Sequence, residues 1–321
     1  MAIFGEGKHF ILTRCDTNED WLKQRTLGVG GSDVAAILGL SPWKSPAQIW
    51  LEKTGRVEAE DLSDKPYVEF GNIMEPIVGD WYAKRHPDRT VRRVNAICQS
   101  IERPWAQASL DYEVKDPELG WGVLEIKTAH SAKDWQDGVP LYYLTQVTHY
   151  MQVTNREFAD VAVFFRDTCE FEEYRVKYDP TDGDVVLEAV DTFWRDYVGR
   201  NIMPELVGTA SEIASLTKYY GTPESDFRTT NDQEAIEAIS AYQTASQAEK
   251  QAKEDKTKAA AVLAGLIGDA KGLVTDVARV TWVRSNQTRF DAKQFAKDHP
   301  DLYEQYKISY TKNGGLRIKE L

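Results

Sequence analysis

A charged pair sits inside what should be an apolar strand. In Gly122-Val-Leu-Glu125-Ile-Lys127-Thr128 the side-chain period of two sends Glu125 and Lys127 to one face and Leu124 and Ile126 to the other. Unpaired charge in such a setting is costly, so the pattern demands partners. Thirteen residues upstream, Ala108-Ser109-Leu110-Asp111 closes a second strand-like run, Trp105 to Val114, in which the same period sets Ser109 beside Asp111. Asp116-Pro117-Glu118-Leu119-Gly120 supplies the turn between them. If the two strands are neighbours, Asp111 meets Glu125 and Lys127 on one patch. Two carboxylates and an ammonium suit phosphodiester hydrolysis. Asp111 and Glu125, with the Ile126 carbonyl, can hold a hard cation such as Mg²⁺ or Mn²⁺. Lys127 can orient or deprotonate a water, or offset developing negative charge. The spacing alone is a weak signal, since a solvated Glu/Lys pair is its commoner origin.

Composition limits the alternatives. The 321 residues carry 51 acidic and 39 basic side chains, a net charge of −12, with 42 % hydrophobic residues, as in an ordinary globular protein. The acidic excess falls in the middle of the chain. No apolar run is long enough to cross a bilayer, and Met1 to Phe10 lacks an apolar signal core, so a cytoplasmic protein is expected. Cys15, Cys98 and Cys169 are scattered, and the five histidines show no short ligand spacing. Any metal must therefore be held by carboxylates. Against DNA binding stands the net charge; Lys84, Arg85, Arg89, Arg92 and Arg93 offer a local basic footprint.

The coarse pattern is α, then β-β-β, α, β-β, α: a mixed sheet with helices against it. Helices are expected at Asp33–Leu38 with Ser32 as N-cap, at Ser45–Lys53, at Tyr67–Arg85, from Pro140 to about Val153, and from Asp179-Pro180 to about Asn201. Strands are expected at Thr90–Ser100, Trp105–Val114, Gly122–Thr128, Phe158–Phe165 and Phe171–Tyr178. After Pro204 the texture changes. The stretch from Asn231 to about Ile267 reads as a long helix or helical pair, Val274–Val283 as a strand, Phe290–His299 as a short helix, and Tyr306–Lys319 as a hairpin turning at Asn313-Gly314. The division expected is a core over 1–204 and a helical and hairpin appendage over 205–321.

Five motifs in order carry a family resemblance over about residues 20–203. They are Arg25 with Gly30-Gly31-Ser32-Asp33 and Leu40-Ser-Pro-Trp-Lys44-Ser-Pro46; Glu69-Phe-Gly-Asn-x-x-Glu75; Ser109-x-Asp111; Glu125-x-Lys127; and Gln146-x-x-x-Tyr150. The chain resembles the phage-type, YqaJ-like recombination exonucleases, relatives of the lambda exonuclease within the PD-(D/E)XK nuclease superfamily. Leu110 stands where the superfamily's name-giving motif has proline. The resemblance implies an α/β fold with a restriction-endonuclease-like core. It implies Asp111, Glu125 and Glu75 as ligands of Mg²⁺ or Mn²⁺, Lys127 as the catalytic lysine, and Gln146 and Tyr150 as residues orienting the scissile strand or its water. Arg25, Ser32 and Ser109 match the positions that bind a 5′-terminal phosphate. Two glycines before Ser32 would let the backbone approach that anion, and Lys44 or Trp43 could contact the duplex. The activity implied is 5′→3′ degradation of linear double-stranded DNA, leaving a 3′ overhang for a single-strand annealing protein, by a ring of three subunits encoded by a phage or prophage. An endonuclease, or a non-catalytic scaffold that binds DNA ends, are the other readings.

Overall fold

Eight consecutive buried residues, Phe158–Phe165, form the strand on which the molecule is built. A run buried on both faces belongs at the middle of a covered sheet. The computed structural model describes residues 3–59, 61–222, 227–283, 285–286, 288–308 and 315–319. They fall into two compact units, Met1–Gly221 and Thr222–Leu321. In chain order the first unit comprises β1 (Phe10–Thr13), α1 (Asn18–Thr26), α2 (Gly31–Ile37), α3 (Pro46–Lys53), α4 (Pro66–Arg85), β2 (Thr90–Arg93), β3 (Ile97–Ser100), β4 (Gln107–Ala108), β5 (Tyr112–Asp116), β6 (Gly120–Ala129), α5 (Leu141–Thr154), β7 (Phe158–Phe165), β8 (Glu170–Lys177), α6 (Pro180–Thr192) and α7 (Ala210–Tyr220).

The main sheet has the order β2-β5-β6-β7-β8. The pair β6/β7 is parallel and the other three pairings are antiparallel, which makes the sheet mixed. The parallel pair is joined by a crossover through α5, as parallel neighbours require. The turn between β5 and β6 is held by Asp116, whose Oδ1 accepts from the amides of Glu118 and Leu119, and Gly120 takes a φ of +79° there. One face of the sheet packs Leu124, Ile126, Tyr112 and Phe158 against Val78 and Tyr82 of α4. Val123, Val161 and Val163 face Val147, Tyr150 and Met151 of α5.

The sheet is the one expected, but its rim differs. Thr90–Ser100 is two strands in different sheets: β2 joins the main sheet, while β3 pairs with β1 and β4. Trp105–Val114 likewise splits into β4 and β5, so Ser109 and Asp111 sit on the connection between sheets. Ser32 is not the N-cap of α2. The helix starts two residues earlier, with Gly30 as its N-cap, and the Gly30 amide donates to Asp33 Oδ2 at 3.0 Å while the Asp33 amide returns a bond to the Gly30 carbonyl at 2.9 Å. With Asp33 closing the end, the Ser32 hydroxyl is released for another role. Helix α6 ends at Thr192 and continues as one π-helical stretch to Val198.

Residues 210–220 form α7, which hydrogen-bonds to the first unit: Gln48 Nε2 donates to Ser215 Oγ and Ser211 Oγ donates to the Trp43 carbonyl. The compact core thus runs to Gly221 rather than stopping at 204. The second unit holds α8 (Gln233–Ile267), a single helix of 35 residues, then β9 (Gly272–Val274), β10 (Arg279–Thr281), α9 (Ala292–Asp298) and α10 (Pro300–Tyr306). The strand expected over Val274–Val283 is instead a short antiparallel hairpin, β9 with β10. The proposed turn at Asn313-Gly314 lies outside the described residues, and residues 315–319 form no strand. No helix among the described residues is long and apolar enough to cross a membrane.

Candidate active site

The β5/β6 register places Asp111 where the sequence pattern asks for it. Tyr112 is paired with Leu124, so one step further along the antiparallel pair sets Asp111 opposite Glu125. The Asp111 carboxylate is latched across the gap, with Oδ2 accepting from the Ile126 amide at 2.8 Å. Glu125 is 2 % exposed. Its Oε1 accepts from Lys127 Nζ at 2.7 Å and from Gln146 Nε2 at 2.7 Å. Lys127 Nζ also donates to Gln146 Oε1 at 3.2 Å, and Gln146 Nε2 donates to the Tyr150 hydroxyl at 3.0 Å. The structure therefore brings Asp111, Glu125, Lys127, Gln146 and Tyr150 into one cluster, with Glu125, Gln146 and Tyr150 buried and Asp111 and Lys127 partly exposed. Gln146 and Tyr150 reach it together because they are four residues apart on α5. Tyr143, which pattern reading passed over, completes it: Lys127 Nζ lies 4.6 Å from the ring centroid. Its place three residues before Gln146, on the same helix face, was the available signal.

The electrostatics are those of crowded acids. Burial first, then the Glu125 carboxylate, push the Asp111 pKa well above the ordinary carboxylate range. Burial also raises that of Glu125; the Lys127 ammonium opposes this shift and Glu75 adds to it. For Lys127, burial would favour the neutral amine, but Glu125 and Asp111 outweigh it and raise the pKa. The Tyr150 phenol is pushed up by burial and by the same two carboxylates. The cluster thus carries excess negative charge with too little water to screen it.

One oxygen in it has no protein partner. Glu125 Oε2 is buried and accepts no hydrogen bond. An orphaned carboxylate oxygen beside a second, partly exposed carboxylate fits a hard divalent cation, which takes oxygen donors and keeps several waters. Among the described residues no group of three or more His, Cys, Asp or Glu side chains is arranged to hold a metal ion by itself. The expected third carboxylate is engaged elsewhere: Glu75 Oε1 accepts from Arg93 Nη2 at 2.7 Å. What the chain offers is Asp111, Glu125 and the Ile126 carbonyl, with Glu75 close enough to be felt electrostatically by both acids.

Arg25 and Ser32 also meet. Arg25 Nη2 donates to Ser32 Oγ at 2.9 Å, and the guanidinium stacks over Trp21 with 4.7 Å to the ring centroid. Its acidic neighbour is Asp33, at 3.6 Å, rather than Asp20. Asp33 is itself buried against Lys53, 2.7 Å away, and Lys53 Nζ also donates to the Arg25 carbonyl. Burial alone would raise the Asp33 pKa; Lys53 and then Arg25 override it and hold the carboxyl well below the usual range. The pairing of Asp33 with Lys53 was invisible to motif reading, because Arg25, Asp33 and Lys53 sit on three different helices. Ser109 does not touch Arg25. It lines an open cleft of about 450 Å³ with Asp111, Glu75, Arg93 and Trp21.

Two basic features read from the sequence are engaged within the fold. Lys44 Nζ bonds Glu52 at 2.6 and 2.9 Å. Trp43, by contrast, is 59 % exposed and meets Tyr142 edge-on. The basic footprint over 84–93 is largely neutralised within the fold: Arg85 faces Glu173, Arg89 faces Asp160 and Asp116, Arg92 faces Glu113, and Arg93 faces Glu75.

Gly31 has a packing reason, whereas a Cβ on Gly30 would meet only Asp33 Oδ2, at 3.7 Å. A Cβ on Gly31 would lie 2.4 Å from Tyr150 Cε1 and 2.9 Å from Gln146 Cγ. Only glycine lets α2 sit directly on the two site residues of α5. Gly31→Ala is expected to cost about 1–3 kcal/mol through overpacking, read as a lower denaturant midpoint. It also displaces Gln146 from Glu125, so activity should fall further than stability does.

The fold and site together define a mixed α/β protein whose two-carboxylate, one-lysine cluster lies beside β6, the middle strand of the main sheet. Residues 20–157 match the YqaJ-like viral recombinase domain. The chain is 30 % identical over 301 residues, 91 % of each protein, to the uncharacterized protein YqaJ of Bacillus subtilis (strain 168). The chain belongs to the YqaJ-like family. Among solved structures it is similar to an alkaline exonuclease from Laribacter hongkongensis, with 19 % identity, 58 % of this chain and 94 % of that one covered, and a TM-score of 0.48. It is also similar to a phage-related exonuclease from Haemophilus somnus 129PT, with 13 % identity, 55 % and 95 % covered, and a TM-score of 0.42.

Proposed function

We propose that the chain is a divalent-cation-dependent exonuclease that degrades linear duplex DNA 5′→3′ from phosphorylated ends and leaves a 3′ overhang for strand annealing. The observation that carries this reading is the Asp111/Glu125/Lys127 cluster with its buried, unpartnered Glu125 Oε2. Asp111 and Glu125, with the Ile126 carbonyl, would hold Mg²⁺ or Mn²⁺. When bound, the cation supplies polarisation of the scissile phosphate and a lowered pKa for a water. The remaining work falls to the chain. The Lys127 ammonium, fixed by Glu125, Gln146 and Tyr143, donates to oxygens on which charge develops. Gln146 fixes Glu125 and Lys127 relative to each other, and Tyr150 fixes Gln146. Arg25 and Ser32 bind the terminal phosphate, Arg25 with its planar fork and Ser32 with its hydroxyl.

Linear duplexes that differ only at the 5′ end, phosphate or hydroxyl, test the reading when incubated with Mg²⁺ or with EDTA beside closed circular DNA. Expected are fast loss of the phosphorylated duplex, slower loss of the hydroxyl form, and no loss of circles or of any DNA in EDTA. Cutting of circles at the same rate would make the chain an endonuclease, and intact DNA in every tube would make it a binding scaffold.

A further inference from the structure

Arg93 occupies an odd position for a structural ion pair. Its side chain is 48 % exposed and its partner Glu75 is 21 % exposed, so the pair stands at the open side of the cleft. Among the described residues that line this cleft Arg93 is the only cation, set against Asp16, Glu75 and Asp111. The sheet delivers it there: Arg93 pairs with Tyr112, the residue after Asp111. Glu75 comes from α4 and faces the same space. A phosphate entering to reach Asp111 and Glu125 passes carboxylates that repel it and one guanidinium that does not. Meanwhile the carboxylate with the best claim to join a cation is held by that guanidinium.

We propose that Arg93 is a phosphate-contacting residue of the cleft and that Glu75 is its resting partner, so that substrate and cation enter by exchange of ion pairs. The DNA phosphate replaces Glu75 on Arg93, and Glu75 is released towards the cation held by Asp111 and Glu125. No bond is made or broken covalently; two opposite-charge pairs trade members. This rests on the nuclease reading and adds to it a residue that the motifs do not contain. An exposed arginine gives up one carboxylate for one phosphate at little net cost, because each presents a pair of anionic oxygens that its fork can grip with two parallel hydrogen bonds.

The exchange makes predictions of opposite sign. In EDTA, where no cleavage occurs, Arg93→Gln is expected to weaken binding of a 5′-phosphorylated duplex roughly tenfold and to reduce the salt slope by about one phosphate contact. Glu75→Gln is expected to tighten the same binding, because Arg93 is then free and a repelling charge is gone. Without DNA, Arg93→Gln is expected to tighten Mn²⁺ binding measured by calorimetry, since Glu75 is released. Fluorescence anisotropy on the full chain reads the first two. Asp111→Ala is assayed alongside for cleavage. If Asp111→Ala is inactive but Arg93→Gln binds duplex and Mn²⁺ as the parent does, the exchange is overturned and the nuclease reading stands. If Asp111→Ala cleaves at the parent rate, both are overturned.

Discussion

Asp111→Asn is expected to lower the cleavage rate by about 10³-fold, the scale on which one preorganised charge-stabilising group acts, while making the cation-free protein more stable. Both effects have one origin. Asp111 and Glu125 sit as like charges with little solvent between them; desolvation raises both pKa values, Glu125 adds to the shift of Asp111, and Glu75 adds to both. The folded chain therefore holds more protons than the unfolded chain at pH values above the ordinary carboxylate range, which begins near pH 4. Stability must then fall as pH rises from about 4 through the raised pKa values, the reverse of the usual salt-bridged aspartate. Thermal melts in EDTA between pH 5 and pH 8 should show a declining midpoint. Asp111→Asn should flatten that decline. Mg²⁺ should restore the midpoint, and restore it more at pH 8 than at pH 5, because cation binding displaces protons from the carboxyls. Buried His149, kept neutral, adds the same rising contribution to parent and variant, so a parent midpoint with the same pH slope as Asp111→Asn would show that the carboxyls are not crowded as described.

The second large effect belongs to the other end of the site. Arg25→Gln is expected to slow degradation of a 5′-phosphorylated duplex by about 10–100-fold, the loss of one charge-assisted contact, and to leave the 5′-hydroxyl duplex almost unchanged. The discrimination between the two ends, not the absolute rate, is the informative readout, because misfolding would depress both substrates alike. The Arg25 guanidinium loses Ser32, Asp33 and Trp21 as neighbours in this variant. Asp33 keeps Lys53, at 2.7 Å, so its charge stays compensated. Equal slowing on both ends would remove Arg25 from end recognition.

The parts of this site that could be read from sequence are those whose geometry is set by local periodicity. The β5/β6 register follows from the strand period and the Asp116–Gly120 turn, so Asp111, Glu125 and Lys127 could be brought together without coordinates. The same holds for Gln146 and Tyr150 at helical spacing on α5. What escaped is set by contacts between elements distant in the chain. Lys53 reaching Asp33 depends on how two helices cross, Arg93 reaching Glu75 on how α4 lies against β2, and Glu52 taking Lys44 out of play on the path of the loop before α3. Strand breaks escaped for a similar reason. Thr90–Ser100 and Trp105–Val114 are continuous in pattern, and only the choice of sheet partner divides them. The Ser32 misplacement came from an ordinary capping preference overridden by Asp33.

Helix α5 has a consequence of its own. Towards the sheet it presents Gln146 and Tyr150, while His149, buried and kept neutral by that burial, bonds the carbonyls of Val29 and Gln107. Val29 leads into the glycine pair and Ser32; Gln107 leads into Ser109 and Asp111. A single rod thus serves as the ruler between the place where a strand end is gripped and the place where the chain is severed. Under the proposed chemistry, a change that tilts this rod alters the length of the fragments released before it alters how fast they appear.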